Sequence, residues 1–303
     1  LSSGRLTFPL VQRRRVVGLA YGGMHSVRRG SGSDVAGSRP YRPGDNVDTI
    51  DWAASAKLSL ASGEEQFIVR ERFAEEAPRL VVVADRRPSM SLFPPPYPWL
   101  SKPDAVRTAV KLISDSGLAA RAFMGYLDFG DRAAFWRPPS SQKELDDDIG
   151  RPFAAPRDAP ARAFQHLVDH RRDLPAGTFV FVLSDFLDGV DEQLWRRALE
   201  RRWDVVPVVI QDPTWEQSFP DVAGIVVPFI DPGRGRVRSA LLSSQEVEQR
   251  RRANEERFAR VVAAFRMLDM EPVVLTSADV THAIEAFLGW ADRRFHVRGR
   301  PSS

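Results

Sequence analysis

Four short runs constrain this chain more than anything else in it: LVVVAD at 80–85, TFVFVLSD at 178–185, VVPVVI at 205–210 and PVVLT at 272–276. A strand with one wet face alternates apolar with polar residues. These runs do not alternate, so both of their faces must be covered. Segments of helical periodicity lie between and after them, near 102–117, 159–171, 190–202, 244–268 and 279–293. Continuous apolar strands alternating with helices specify an α/β fold with a doubly wound, mainly parallel sheet. ARAFMGYLDF (120–129) and AAFWR (133–137) flank a tight GDR and read as a hairpin, followed by a polar helix near 140–150.

The remainder divides around this core. Residues 1–77 read as an N-terminal arm with an accessory β segment, 78–295 as the main domain, and 296–303 as a tail. Within 1–44 the basic residues Arg5, Arg13, Arg14, Arg15, Arg28, Arg29, Arg39 and Arg42 face only Asp34, which predicts a solvated arm lying on the main domain. QFIVRERF (66–73) alternates and predicts a strand with one wet face. The insert near 222–242 reads as a hairpin around a Gly-rich turn, expected to pair with strand 66–73. Asp45, Asp48 and Asp51 recur at threes, but an EF-hand loop needs oxygens at alternate positions and a closing Glu, so capping and arginine pairing are expected instead.

Composition excludes several chemistries. The 303 residues contain no cysteine, which removes disulfides, thiolate metal sites and a cysteine nucleophile. Forty-three basic against forty acidic residues leave a net charge of +3, too small to select a partner class. No run approaches the roughly 18–20 apolar residues of a membrane span, and LSSGRLTFPLVQRRR lacks the apolar core of an export signal. The expected location is the cytoplasm. Neither G-x-x-x-x-G-K nor G-x-G-x-x-G occurs, and Ser184 lacks a G-x-S-x-G elbow. Of the five histidines (His25, His166, His170, His282, His296), only His166 and His170 share a helix face, and HLVDH lacks the metalloprotease glutamate, which makes them a solvated or capping pair.

In open parallel sheets, functional groups gather beyond the carboxyl ends of the strands. Asp85 and Asp185 end two of the apolar runs. Neighbouring strands lie about 4.8 Å apart, so if these two adjoin, their carboxylates repel unless something positive sits with them. The candidates are a hard cation or the guanidinium of Arg86 or Arg87.

GSGSDVAGSRPYRPGDNVDTIDWAASAKL, followed by VVVADRRPSM and VLSDFLD, resembles the bacterial domain of unknown function 58 family, which carries a von Willebrand factor A-like domain. The resemblance runs from about residue 30 to 290 and includes FIDPGRGRVR and LDMEPVVLTSAD. It implies a sheet whose first and fourth strands adjoin. It also implies association with MoxR-type AAA+ ATPases and a role in interaction or assembly rather than catalysis. A-type domains hold Mg²⁺ with a D-x-S-x-S loop, a threonine and a further aspartate. Carried over, the first loop keeps Asp85 and Ser89 but has Arg87 in place of a serine, and the third keeps Asp185. Where the threonine belongs, the chain offers Arg157, Asp158, Ala159 and Pro160. The resemblance thus implies a degenerate adhesion site in which an arginine neutralises a carboxylate. No cofactor is expected, Mg²⁺ being the ion an intact site at Asp85, Ser89 and Asp185 would take.

The binding edge is therefore assigned to Asp85, Arg86, Arg87, Ser89, Asp158 and Asp185, with a MoxR-type ATPase or its client as the expected partner. Two alternatives stand beside it. One is a Mg²⁺-dependent enzyme acting on phosphate esters, or an intact adhesion site, at the same edge. The other is nucleic-acid binding through the arginine-rich arm, which poor interleaving of aromatics disfavours.

Overall fold

A computed structural model of the chain describes residues 5–13, 29–41, 50–63, 66–73, 77–130, 133–141, 144–145, 151–231 and 236–298. The chain divides into two compact units, one spanning Arg14–Pro78 and one combining Leu1–Arg13 with Arg79–Ser303.

In the smaller unit, β1 (Arg29–Pro40) pairs antiparallel with β2 (Ile68–Phe73). Helix α1 (Trp52–Ser62) lies between them in sequence. Asp51 caps it by accepting from the Ala54 amide at 3.1 Å, the role expected of this acid run, and Gly63 ends it in the left-handed region at φ 71°. Asp45 and Asp48 lie outside the described residues, as do Arg14, Arg15, Arg28 and Arg42.

The larger unit is built on a six-stranded sheet: β3 (Arg79–Ala84), β4 (Phe123–Asp128), β5 (Phe135–Ser141), β6 (Phe179–Ser184), β7 (Asp204–Ile210) and β10 (Val273–Leu275). Their order is β10-β7-β6-β3-β4-β5, parallel throughout except for β5. Helices α2 (Lys102–Ala119), α3 (Ala159–Asp169), α4 (Glu192–Glu200), α5 (Ser244–Met267) and α6 (Val280–Arg298) complete the doubly wound fold.

The apolar runs explain the layering. Val81, Val83, Val180 and Val182 present one face to Phe164 and Leu167 of α3, Trp195 of α4 and Phe265 of α5. On the other face, Phe181 meets Phe287 and Trp290 of α6 at ring distances of 6.5 and 6.1 Å. Helix α2 comes so close at Gly117 that a Cβ there would stand 2.8 Å from Leu80 and 2.5 Å from Met124. Each fully buried side chain of this kind contributes roughly 1.5–3 kcal/mol by leaving water.

Two expectations are corrected and one is met. The N-terminal segment is not a solvated arm throughout: Phe8, Leu10, Val11 and Gln12 are buried, and Phe8 stacks on Phe287 at 4.4 Å. Burying this aromatic and aliphatic cluster outweighs the solvation of the flanking arginines. The insert forms the expected hairpin, β8 (Val226–Asp231) pairing antiparallel with β9 (Arg236–Leu241), where loop closure costs least. Residues 140 and 141, expected in a polar helix, continue β5 against Met124 and Phe123, and 146–150 lie outside the described residues.

Strand order reverses between β3 and β6: the chain moves outward to β4 and β5, then returns to place β6 on the other side of β3. Such a switch point opens a crevice beyond the carboxyl ends of the two strands.

Candidate functional site

Because β3 and β6 are neighbours in register, with Ala84 opposite Leu183, Asp85 and Asp185 leave the sheet side by side at this crevice. Both are buried, Asp185 completely. Each carries its own protein cation.

Asp85 is held by Arg87. The guanidinium donates to both carboxylate oxygens, Nε at 3.1 and 2.9 Å and Nη2 at 2.7 Å, and the Arg87 amide adds a bond of 2.9 Å to Oδ1. Such a fork-on-carboxylate contact is stronger and more directional than a point charge. Ser184, the last residue of β6, donates its hydroxyl to Asp85 Oδ2 at 2.7 Å and accepts from Arg87 Nη2 at 3.2 Å. The remaining end of the guanidinium, Nη1, donates to Asp188 at 2.5 Å. Burial opposes the charge on Arg87, but the hydrogen bond and charge of Asp85, with Asp185 and Asp188 behind them, raise its pKa above the ordinary value.

Asp185 is held by Lys102, the first residue of α2. Lys102 is fully buried; its ammonium donates to Asp185 Oδ2 at 2.9 Å and to the Ser89 carbonyl at 3.1 Å, and it pairs with Glu216. Burial pushes Asp185 up, but the Lys102 charge, hydrogen bonds from Ser89 and Lys102, and the Arg87 charge outweigh it and hold the carboxyl below its usual value. For Glu216 the balance falls the other way, because burial outweighs the help of Lys102 and raises its pKa. One ammonium thus serves two carboxylates of opposite disposition.

Arg86 pairs elsewhere. Successive residues at a strand end point to opposite sides, and Arg86 reaches Tyr126 at 3.2 Å and Asp128 at 3.4 Å while stacking over Phe153 at 4.9 Å. Only 1% exposed, it borders the same cavity as Asp85 and Arg87, but its charge is turned to Asp128 rather than to the two strand-end aspartates. Asp158 lies on the rim, more than half exposed and paired with Arg162 at 2.8 Å. It lines the same cavity as Asp85 but does not join Asp85 and Asp185 in a cluster. Among the described residues no three acidic or histidine side chains are grouped to hold a metal ion. A Mg²⁺ shell asks for oxygen ligands alone, whereas Arg87 and Lys102 stand against both carboxylates.

The crevice encloses a cavity of about 220 Å³, bordered by Asp85, Arg87, Asp158, Phe164, Asp188 and Trp195. That is smaller than the roughly 300–1,000 Å³ of pockets for drug-sized ligands, a size for a side chain. His166 and His170 stack at 4.1 Å with His170 Nδ1 donating to the His166 carbonyl at 2.8 Å, and Trp136 packs against both rings. Burial, then the neighbouring His170, lowers the His166 pKa.

Sequence reasoning missed Lys102, Glu216, Ser184 and Asp188. Ser184 and Asp188 had a usable signal, since they flank Asp185 in LSDFLDG at a strand end. Lys102 and Glu216 had none, because nothing in their neighbourhoods marks them as buried.

The fold and this crevice define an α/β protein with a charged strand-end site. The family described as "Protein of unknown function DUF58" matches residues 37–268, and the chain belongs to it. It is similar to "Uncharacterized protein Rv1480" of Mycobacterium tuberculosis and "Uncharacterized protein Mb1516" of Mycobacterium bovis. Each is 25% identical over 281 residues, covering 88% of this chain and 79% of the relative. Among the described residues no helix is long and apolar enough to cross a membrane.

Proposed function

We propose that this chain is a non-enzymatic interaction module that docks a partner protein at the crevice beyond β3 and β6 through a degenerate, cation-independent adhesion site. The observation that carries the reading is Arg87, whose guanidinium is held by Asp85, Ser184 and Asp188 at the ends of β3 and β6, beside the two aspartates, Asp85 and Asp185, that the family resemblance would assign to a metal. A fixed guanidinium can present positive charge to a partner carboxylate as a divalent ion does, without being removable. Phosphoester hydrolysis at the same edge would require a group to activate water. Asp85 is committed to Arg87, Asp185 to Lys102 and Asp158 to Arg162, which speaks against that alternative.

The von Willebrand factor A-like character and the partner, a MoxR-type AAA+ ATPase or its client, rest on the family resemblance and belong to this proposal. So does a chaperone-like or maturation role in the cytoplasm. Affinity capture from the source cell tests it. An AAA+ ATPase should be retained by the wild-type chain equally with Mg²⁺ and with EDTA, and lost with Arg87→Ser. Because the contact is electrostatic, retention should weaken with salt. Retention abolished by EDTA overturns the cation-independent reading. Retention unaffected by Arg87→Ser, in a variant shown to be folded, overturns the site.

A further inference from the structure

Resting on that reading of the edge, we infer that Asp188 is an internal stand-in for the partner's carboxylate, and that docking exchanges one acid for the other on Arg87 Nη1.

Three observations lead to this. First, Arg87 does not need Asp188 for neutralisation. Its Nε and Nη2 are already committed to Asp85, and Nη2 also meets Ser184. Asp188 takes only the outward end of the guanidinium.

Second, the two partners differ sharply in burial. The Arg87 side chain is 8% exposed, whereas that of Asp188 is 69% exposed. A buried carboxylate such as Asp85 cannot leave without stranding a charge. An exposed one leaves into water at little cost, as the small worth of surface ion pairs shows.

Third, the loop is built to hold Asp188 at the mouth of the cavity while leaving it room to move. Phe186, in the left-handed region at φ 51°, is buried against Trp195 and Phe265 and anchors the loop. Two residues later Asp188 borders the cavity, and Gly189 at φ 88° has open space where a side chain would be.

The exchange conserves charge. Arg87 keeps Asp85 and Asp185 and one outer carboxylate before and after, and Asp188 passes into solvent. The ligand this selects is an aspartate or glutamate side chain of a partner, of a size to enter a cavity of about 220 Å³. Asp188 then sets a threshold: weak acids in solution compete with an intramolecular rival and lose, while a partner with further contacts prevails.

The test uses the full chain and a blocked peptide rich in Asp and Glu, labelled for fluorescence anisotropy, beside its Asn/Gln counterpart. Removing the internal rival with Asp188→Asn should tighten binding of the acidic peptide about fivefold, the scale of one exposed ion pair, and leave the amide peptide unbound. Arg87→Lys, which keeps the charge but loses the fork, should weaken binding and cancel the gain when combined with Asp188→Asn. If Asp188→Asn binds no tighter than wild type while Arg87→Lys loses binding, the stand-in role falls and the docking edge survives. If Arg87→Lys binds as wild type does, or no variant binds the acidic peptide at millimolar concentration, both fall. Thermal melts of each variant separate a lost contact from a lost fold.

Discussion

Both ends of the central sheet bury an aspartate, and they use it differently. At the amino end Asp204, which begins β7, accepts from Arg294 of α6 at 2.9 and 3.1 Å and from the Arg13 amide at 2.7 Å. Arg294 also donates to the Val11 carbonyl at 2.9 Å. Arg13 Nη1 donates to the Leu268 and Asp269 carbonyls at 3.1 and 2.7 Å, its contact with the exposed Asp269 carboxylate is a loose 3.7 Å, and the result is a clamp that fixes residues 5–13 and α6 to the sheet. At the carboxyl end Asp85 and Asp185 are equally well paired, but the network runs out through Arg87 to an exposed carboxylate beside a cavity. The difference lies in the outermost pair: Arg13 meets Asp269 at 3.7 Å, whereas Arg87 holds the exposed Asp188 by a hydrogen bond of 2.5 Å, a contact that a partner's carboxylate could take over.

That contrast is challenged hardest at its deepest point. Lys102→Met leaves Asp185 and Glu216 buried without their cation, and should cost about 3–5 kcal/mol in urea unfolding. A loss below about 1 kcal/mol would mean that the ammonium is not what holds the carboxyl edge together. Arg294→Met at the opposite end should cost about 3 kcal/mol. It should also expose residues 5–13 to limited proteolysis, which Lys102→Met should not do.

A smaller effect separates the two carboxylates on Lys102. Asp185 has a depressed pKa, so its contribution is complete above its ordinary value of 3.8 and is lost as pH falls through the lower folded value. Glu216 has a raised pKa, so its contribution is present below its ordinary value of 4.5 and declines as pH rises through the higher folded one. Asp185→Asn should therefore flatten the acid limb of stability against pH, and Glu216→Gln should remove the decline on the less acidic side. Identical profiles for the two variants would show that the ammonium does not divide its neighbours in this way. Least disturbing of all should be Asp188→Asn, within about 1 kcal/mol of wild type, because its pair is exposed on one side.

Much of this is legible in the sequence. LVVVAD and TFVFVLSD announce buried strands, and an acid at the end of such a run is placed at a strand end by the fold itself; that the two strands adjoin, which brings Asp85 to Asp185, is implied by the family resemblance and is what the sheet order shows. The neutralising arginine is legible as a need, since two close carboxylates require a cation. Which arginine fills it is not legible: the sequence leaves Arg86 and Arg87 open, and the path of residues 85–87 beyond the end of β3 is what brings Arg87 to Asp85. Lys102 is not legible. It follows a proline-rich loop at a helix start, where lysines are ordinarily solvated, and its burial comes from Glu216, far along the chain in a loop with no periodic pattern. The packing of Phe8 is hidden in the same way, by arginines around it that suggest solvent.

The central claim is that protein cations stand where a divalent ion would otherwise be held. Its sharpest test is calorimetric titration of Mg²⁺, and then Mn²⁺, into the full chain. No heat beyond dilution is expected at millimolar ion, and no shift in melting temperature beyond that of an equal ionic strength of sodium chloride. Micromolar affinity in the wild-type chain, abolished by Asp185→Ala, would overturn the claim.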